Sequence, residues 1–242
     1  GDGFYYSAYD APEKGLETSA KNEVQKVYYH RIGTPQSDDV LFYQNPAQPL
    51  RFYGVGLNDE ETLMFLTESG MDQGYNLYVR DLRVADSQFI QMTADASKTY
   101  SPVEMIGDSI YILTNQGAPR YRLMVADVRK PGMTDWHEVV GEQDGVLQDV
   151  LFLPADRMIL TYSKDNCTEA WLYSVKGERL SRIELPTFGS ASFSGSRKQD
   201  ECFFSFTSYT VPTTIYRFDP ATGKSQVESQ PKVNVRLNDY TT

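Results

Sequence analysis

The sequence contains few cysteines and histidines. Its 242 residues include two cysteines, Cys167 and Cys202, and two histidines, His30 and His137. Two cysteines outside a C-x-x-C motif cannot make a disulfide framework, and the four residues together lack the spacing of a zinc site. We therefore expect no metal, no cofactor and two free, buried thiols. The histidines, which fall within predicted strands, are expected to be structural or surface residues.

The sequence also lacks long apolar runs and an excess of positive charge. No apolar segment approaches the roughly 18–20 residues that cross a bilayer, and the first residues do not have the pattern of a signal peptide. Lys and Arg number 23 against 33 Asp and Glu, a net charge of −10, which repels phosphate backbones and anionic lipids. We expect neither nucleic acid nor membrane as a partner, and the cytoplasm and the periplasm stay open as locations.

Aromatic residues are abundant, with 17 Tyr and 12 Phe. Aromatic side chains favour β-strands, because a flat ring packs well on a pleated surface. No segment keeps a 3.6-residue apolar period over three turns, so helix is not predicted. The composition therefore favours an all-β fold.

A strand-like pattern recurs five times along the chain. Alternating apolar or aromatic residues, often followed by Asp and a turn, begin at positions that lie 50, 46, 48 and 44 residues apart. The five segments are VYYHR (27–31), LYVRD (77–81), LMVAD (123–127), WLYSV (171–175) and IYRFD (215–219). A period of 40–50 residues is typical of β-propeller blades.

Each repeat contains further strands around this segment. The second unit, for example, is predicted to have strands at 51–57, 63–67, 76–81 and 88–92, and four strands make one propeller blade. The first unit provides only three, at 3–9, 26–31 and 39–43. We predict an all-β fold of about five four-stranded blades, the first one incomplete. The predicted blades occupy residues 1–230, and residues 231–242 form an extended exit segment.

Several segments resemble the prolyl oligopeptidases, serine endopeptidases in which a seven-bladed propeller is joined to an α/β-hydrolase domain. The most specific match is KVYYHRIGTPQSDDVL at residues 26–41. Further similarity lies at YRL (121–123), at FTSY (206–209) and at KVNVRLNDY (232–240), which is similar to the crossing from the propeller into the hydrolase. The resemblance places the chain as blades three to seven and residues 231–242 as the exit toward the hydrolase domain, which this sequence lacks.

The resemblance implies a function for the chain. In the family the propeller covers the active site and admits short peptides, which are cleaved after proline, while folded proteins are excluded by size. The catalytic triad belongs to the hydrolase domain, and no Ser in this sequence has Gly at both −2 and +2, as a nucleophile elbow requires. We therefore expect a gating domain of a serine-type prolyl endopeptidase that is inactive alone, with no catalytic residues of its own.

The resemblance also implies which residues contact substrate. By position, Phe52 and Met71 would lie against the residues upstream of the proline, although Phe52 fits ordinary blade packing equally well. The family's substrate-holding arginine falls at Glu68 or Ser69, so this sequence departs from the family there. The polar segment 10–22 corresponds to a flexible loop near the domain seam; its expected gating residues are Asp10, Lys14, Glu17 and Asn22.

Two other functions fit a propeller. A non-enzymatic propeller that binds protein partners would use exposed aromatic residues, but the Gly-His and Trp-Asp signature of the WD type is absent. A propeller glycosidase would need paired carboxylates. Candidates are Asp38-Asp39, Asp59-Glu60-Glu61 and Glu142 with Asp144, all at predicted turns or strand ends, where a solvated charge is the usual state.

An incomplete set of blades has a physical consequence. Blades that lack a neighbour leave an apolar face uncovered, and large apolar patches rarely stay exposed. We therefore expect self-association of this chain, in addition to partnership with a hydrolase domain and with short proline-containing peptides.

Overall fold

The computed structural model describes residues 2–71, 74–93 and 96–232. Within them the chain forms nineteen β-strands in five antiparallel sheets, and two short 3-10 turns at Gln36–Asp38 and Met133–Asp135. The predicted all-β fold is confirmed. None of the described helical segments is long and apolar enough to span a membrane.

The sheets follow one another along the chain, and in each of them consecutive strands are hydrogen-bonded neighbours. The first sheet has three strands, β1 (Gly3–Ala8), β2 (Lys26–Arg31) and β3 (Val40–Gln44). The second has β4 (Phe52–Leu57), β5 (Leu63–Ser69), β6 (Tyr75–Asp81) and β7 (Ile90–Gln91). The third has β8 (Tyr100–Ile106), β9 (Ser109–Thr114), β10 (Arg122–Asp127) and β11 (His137–Val140). The fourth has β12 (Val146–Leu153), β13 (Arg157–Lys164), β14 (Cys167–Ser174) and β15 (Arg179–Ile183). The fifth has β16 (Ser190–Ser196), β17 (Gln199–Thr207), β18 (Thr214–Asp219) and β19 (Lys224–Ser229).

The burial pattern shows which strands are central. In β13 five consecutive residues, Met158 to Tyr162, are buried, so both faces of this strand are covered. The last strands differ, since every residue of β19 is exposed. A strand covered on both faces loses the simple alternation of apolar and polar residues, which explains the near-continuous apolar runs in the middle of each repeat.

Contact clustering divides the chain into two compact units. The first unit comprises residues 1–116 and 125–137, and the second comprises residues 117–124 and 138–242. In the first unit a core of Val27, Tyr53 and Leu66 joins the first and second sheets, with Tyr5 and Phe42 packed against it. This core explains the aromatic richness of the first two repeats.

The core of the second unit lies between the fourth and fifth sheets. The fourth sheet contributes Ile159 and Leu172 among others, and the fifth contributes a group of buried phenylalanines. Phe204 is 1% exposed; its ring is stacked on that of Tyr216, 4.8 Å away and inclined by 7°. Burial of rings of this size removes a large apolar area from water and holds the two sheets together.

The predicted strands agree with the observed ones to within a few residues. The fourth strand of the second sheet, predicted at 88–92, is only Ile90–Gln91. Residues 233–242 of the predicted exit segment lie outside the described residues. The thiol prediction was half right, because both cysteines are free but only Cys202 is buried and Cys167 is half-buried at the start of β14.

Candidate functional site

Phe52 and Met71 lie at one end of the hairpin formed by β4 and β5. Phe52 opens β4 and is paired with Ser69, the last residue of β5, and Met71 follows two residues later. Both side chains are accessible, Phe52 at 47% and Met71 at 95% exposure. The structure therefore places the two predicted contact residues at the same sheet end, with both apolar side chains accessible.

Arg51 and Glu68 lie beside these apolar residues. The Nε atom of Arg51 is 3.9 Å from Oε1 of Glu68, whose side chain is only 7% exposed. Gly70 provides the space for the guanidinium, because a Cβ at this position would lie 2.4 Å from an Arg51 terminal nitrogen. Arg51 was not predicted from the sequence, because its position beside Gly70 follows from the cross-strand register in which the next residue, Phe52, pairs with Ser69.

Glu68 is surrounded by polar and aromatic side chains. Asn76 Nδ2 donates to Glu68 Oε1 at 3.3 Å, and the Tyr78 hydroxyl donates to Oε2 at 3.5 Å. Burial and the nearby Glu68 charge raise the pKa of Tyr78 to about 12. The same two causes raise the pKa of Tyr43 and of Tyr53. All three phenols therefore stay protonated around the carboxylate at neutral pH.

The expected gating segment, residues 10–22, is exposed along its whole length. Asp10, at its start, pairs with Lys26 at 2.5 Å, and this hydrogen bond raises the pKa of the lysine. Glu17 accepts a hydrogen bond from the Gly15 amide at 3.0 Å, which lowers the pKa of its carboxyl. Lys14 and Asn22 are exposed on the same segment. These contacts are local, and the segment buries no apolar anchor of its own.

The end of this segment is connected to β4. The backbone amide of Val24 donates to Pro49 O at 2.7 Å. The Tyr53 amide donates to Gln25 Oε1 at 2.6 Å, and Ser7 Oγ donates to the Tyr53 carbonyl at 2.7 Å. Both backbone polar groups of the residue after Phe52 are therefore bound by side chains that flank the segment. This connection was not predictable from the sequence, because it joins residues 28 and 46 positions apart.

Asp39 forms a second polar cluster, on the first sheet. Its side chain is 4% exposed; it accepts from the Tyr6 hydroxyl at 2.6 Å and lies 2.7 Å from His30 Nδ1. The hydrogen bond from Tyr6, and then that from His30, lowers the pKa of Asp39. The expectation of a solvated carboxylate was wrong here, because the 3-10 turn before Asp39 directs its side chain onto β1 and β2. The structural role expected for His30 agrees with this contact.

Three of the other candidate carboxylates, Glu60, Glu142 and Asp144, form local contacts. Glu60 accepts from Asn58 Nδ2 at 3.0 Å within a turn. Glu142 Oε1 accepts from the Arg120 amide at 2.6 Å, and Asp144 pairs with Arg120 at 3.3 Å and with Lys164 at 2.7 Å. These carboxylates serve as partners of cations and turns, which does not favour a glycosidase. Among the described parts of the chain, no three His, Cys, Asp or Glu side chains form a potential metal site.

Five consecutive antiparallel meanders with a repeat of about 47 residues define a β-propeller domain. A family model, the prolyl oligopeptidase N-terminal β-propeller domain, matches residues 1–231. The chain belongs to this family. The predicted family and fold class are therefore confirmed.

Curated relatives and solved structures agree with this assignment. The chain is 30% identical over 240 residues to the prolyl endopeptidase of Elizabethkingia meningoseptica, covering 99% of this chain and 34% of the relative. It is 26% identical to the dual function macrocyclase-peptidase POPB of Galerina marginata, covering 96% of this chain and 33% of the relative. A solved prolyl endopeptidase structure superposes with a TM-score of 0.88 at 26% identity, over 99% of this chain and 35% of that one. The chain thus spans about a third of the length of the relatives it matches.

Proposed function

We propose that this chain is the gating domain of a prolyl oligopeptidase-type serine endopeptidase, which cleaves short peptides after proline. The observation that carries the proposal is the match of residues 1–231 to the family's propeller domain. Relatives matched over 99% and 96% of the chain are named prolyl endopeptidase and macrocyclase-peptidase. In this role the propeller acts by steric selection, because it limits which substrates reach a catalytic centre.

The chain contributes contacts and access rather than chemistry. Phe52 and Met71 provide apolar surface for the part of the peptide upstream of proline, and the flexible thioether of Met71 adapts to different side chains. The exposed segment 10–22, including Lys14 and Asn22, is the part that moves to admit peptide. The hydrolase domain supplies the nucleophile, since the sequence contains no G-x-S-x-G motif.

A chimera tests the gating role. Residues 1–231 of this chain replace the matching propeller segment of the Elizabethkingia meningoseptica enzyme, and hydrolysis is compared on a short Pro-containing peptide and on an unfolded full-length protein. We expect cleavage of the peptide and protection of the protein. The isolated 242-residue chain, assayed in parallel, should cleave neither.

Two controls make the result specific. Phe52→Ala and Met71→Ala in the chimera should raise KM for the peptide, whereas Leu180→Ala, which removes an exposed apolar side chain from β15, should not. A folded chimera that cleaves the long protein as fast as the short peptide would contradict the gating role. Contaminating peptidases in the preparation of the isolated chain are first inactivated and quantified by active-site titration. Peptidase activity that remains would contradict the assignment of catalysis to the hydrolase domain.

A further inference from the structure

Two adjoining cavities open in the second unit, and neither is lined by a residue that was predicted to contact substrate. One has a volume of about 520 Å³ and lies along the edge of the fourth sheet, with Arg182 and Glu184 in its wall. The other, about 490 Å³, lies between the fourth and fifth sheets and is bounded by Tyr209. Asp165, Cys167 and Phe188 line both cavities. The two cavities therefore form one groove, with a carboxylate, a thiol and an aromatic ring at its centre.

Two exposed aromatic side chains border this groove. Phe188 is 74% exposed and Tyr209 is fully exposed, whereas most rings of the fifth sheet are buried. An aromatic ring in water forgoes the burial that stabilises other phenylalanines and tyrosines by about 2 kcal/mol or more. Exposed rings at the border of a concave surface are typical of binding sites.

Hydrogen bonds order the two loops that carry these rings. On one side of Phe188 the Thr168 amide donates to Gly189 O at 2.9 Å, and the Ala191 amide donates to Thr168 Oγ1 at 3.0 Å. Tyr209 sits in a turn closed by the hydrogen bond from the Ser208 amide to Val211 O at 2.9 Å. Because these loops are already ordered, a ligand that contacts the rings would lose little binding energy to ordering them.

The charges of the groove favour a cation. Its two basic side chains already have acidic partners, Lys164 with Asp144 at 2.7 Å and Arg182 with Glu169 at 3.8 Å. The carboxylates of Asp165 and Glu184 form no hydrogen bond or ion pair with the described residues. Lys164 attracts Asp165 electrostatically without forming an ion pair with it. Two carboxylates that lack an ion-pair partner among the described residues, next to exposed aromatic faces, are complementary to an ammonium or guanidinium group, which both features attract.

We propose that this groove binds a lysine or arginine side chain of a polypeptide. The cation lies between the Asp165 carboxylate and the Phe188 ring, Glu184 adds charge in the first cavity, and Tyr209 contacts the adjoining apolar stem. An extended peptide backbone would run along the two cavities, both of which Phe188 lines. This inference goes beyond the proposed gating role and holds for the chain by itself.

Cys167 provides a direct reporter of the groove. Its thiol is half-buried and lines both cavities, whereas burial raises the pKa of the Cys202 thiol to about 11 and keeps it unreactive. A thiol reagent added to the folded 242-residue chain should therefore label Cys167 first. Saturating acetyl-Gly-Lys-Gly-amide should slow this labelling several-fold, and Cys167→Ser should remove the fast phase.

A matched peptide separates cation recognition from simple apolar contact. Norleucine in place of lysine keeps the stem and removes the charge, so it should give little protection and should bind at least about fivefold more weakly in a titration followed by NMR. Equal protection by the two peptides, or shifts confined to residues outside the groove, would overturn the proposal.

Variants assign the recognition to particular side chains. Phe188→Ala and the double change Asp165→Asn with Glu184→Gln should each weaken binding of the lysine peptide about fivefold or more, and the double change should also remove its salt dependence. Val227→Ala, an exposed apolar residue of β19 that lines neither cavity, is the control and should leave binding unchanged. Because all these positions are exposed, the variants should retain their fold. Unchanged affinity for the lysine peptide in the folded Phe188 and carboxylate variants would contradict the proposed binding site.

Discussion

At the residue scale, the local sequence gives little indication of which polar side chains are buried. Asp38 and Asp39 are adjacent and chemically identical, yet Asp38 is exposed while Asp39 lies against Tyr6 and His30. A carboxylate with little access to water must be compensated by hydrogen bonds or an opposite charge. The contacts of Asp39 meet this requirement, so it fastens the 3-10 turn to β1 and β2.

Asp39→Asn should reduce the stability of the chain at neutral pH and flatten its acid dependence. The Tyr6 hydrogen bond lowers the pKa of Asp39 below its ordinary value of 3.8 in the folded state. The stabilisation is therefore fully present above that value and lost as the pH falls through the lower folded-state pKa. Urea unfolding between roughly pH 2 and pH 7 measures the effect.

Asp38→Asn is the matched control for this experiment. Among the described residues, its side chain accepts a hydrogen bond only from the neighbouring Ser37 hydroxyl, at 3.1 Å. The substitution should therefore preserve the acid dependence of the native chain. Identical pH profiles for the Asp39 and Asp38 variants would show that the Tyr6 and His30 contacts contribute nothing to folding.

The residues of the candidate sites differ in how far the sequence could predict them. Phe52 and Met71 came from resemblance to a family, and the structure shows them accessible at one sheet end. Arg51 gave no local signal, because its position depends on the register that sets it opposite Gly70. Tyr209 lies in the family-like segment FTSY (206–209), but a tyrosine in a turn gives no sign of whether a cavity lies beside it.

At the element scale, the sheets are held together in two ways. Apolar side chains of neighbouring sheets pack on one another, as between the fourth and fifth sheets. Turns are also joined by charges: Arg83 binds Asp81 at 2.8 Å and Asp108 at 2.6 Å, and Arg129 binds Asp127 at 2.6 Å and Asp108 at 3.6 Å. Packing dominates the stability, while the exposed ion pairs add a salt-dependent part.

Phe204→Ala should destabilise the chain by about 3–5 kcal/mol, because it removes a fully buried ring from the core between two sheets. Its ring contacts those of Phe193 at 4.9 Å and Tyr216 at 4.8 Å, so no single neighbour can fill the space. Chemical denaturation followed by circular dichroism measures the change. Phe188→Ala, which truncates an exposed ring, is the comparison; similar losses for the two variants would refute the packing argument.

Asp108→Asn should lower the sensitivity of stability to salt. The carboxylate lies between Arg83 and Arg129. At 0.5 M salt the Debye length is roughly 4 Å, so screening weakens charge pairs of this kind. Melting temperatures at low and high NaCl should therefore differ less in the variant than in the native chain. Asp86→Asn, in an exposed turn, should keep the native difference, and no change from Asp108→Asn would disprove the role of the network.

At this scale the repeat could be predicted from the sequence, because one strand of each sheet carries the recurring anchor segment. Four of the five anchor segments fall in the third strand of their sheet, and the first falls in β2, the middle strand of the three-stranded sheet. In most of them Asp and a turn follow an apolar alternation. The last strands were harder to bound. Only two residues of β7 pair with β6, and an exposed outer strand places little constraint on which residues it contains.

At the scale of the whole molecule, one aromatic face of the first sheet is accessible. Phe4 is 52% exposed, its ring lies 5.0 Å from that of His30, and Tyr6 stacks on Tyr28 at 5.7 Å. Cross-strand pairing places these four side chains on the same face. Aromatic faces of this kind bind other apolar surfaces, and a second copy of the chain is the partner always present in solution.

The chain should therefore associate in a concentration-dependent manner, as measured by sedimentation equilibrium. Phe4→Glu places a charge on the aromatic face and should weaken association by about tenfold or more. Val84→Glu, at another exposed apolar residue, should have little effect. A chain that stays monomeric over the whole concentration range would contradict this prediction.

Tyr53 belongs to β4 of the second sheet, yet its amide donates to the side chain of Gln25, just before β2, and its carbonyl accepts from Ser7 of β1. Residues 10–22 thus cannot swing from a hinge at Gln25 without breaking a hydrogen bond to a buried residue or pulling β4 along. If residues 10–22 move as proposed, Gln25 would transmit that motion to β4, where Phe52 is proposed to contact the substrate. Movement of residues 10–22 and substrate contact at Phe52 would then be coupled.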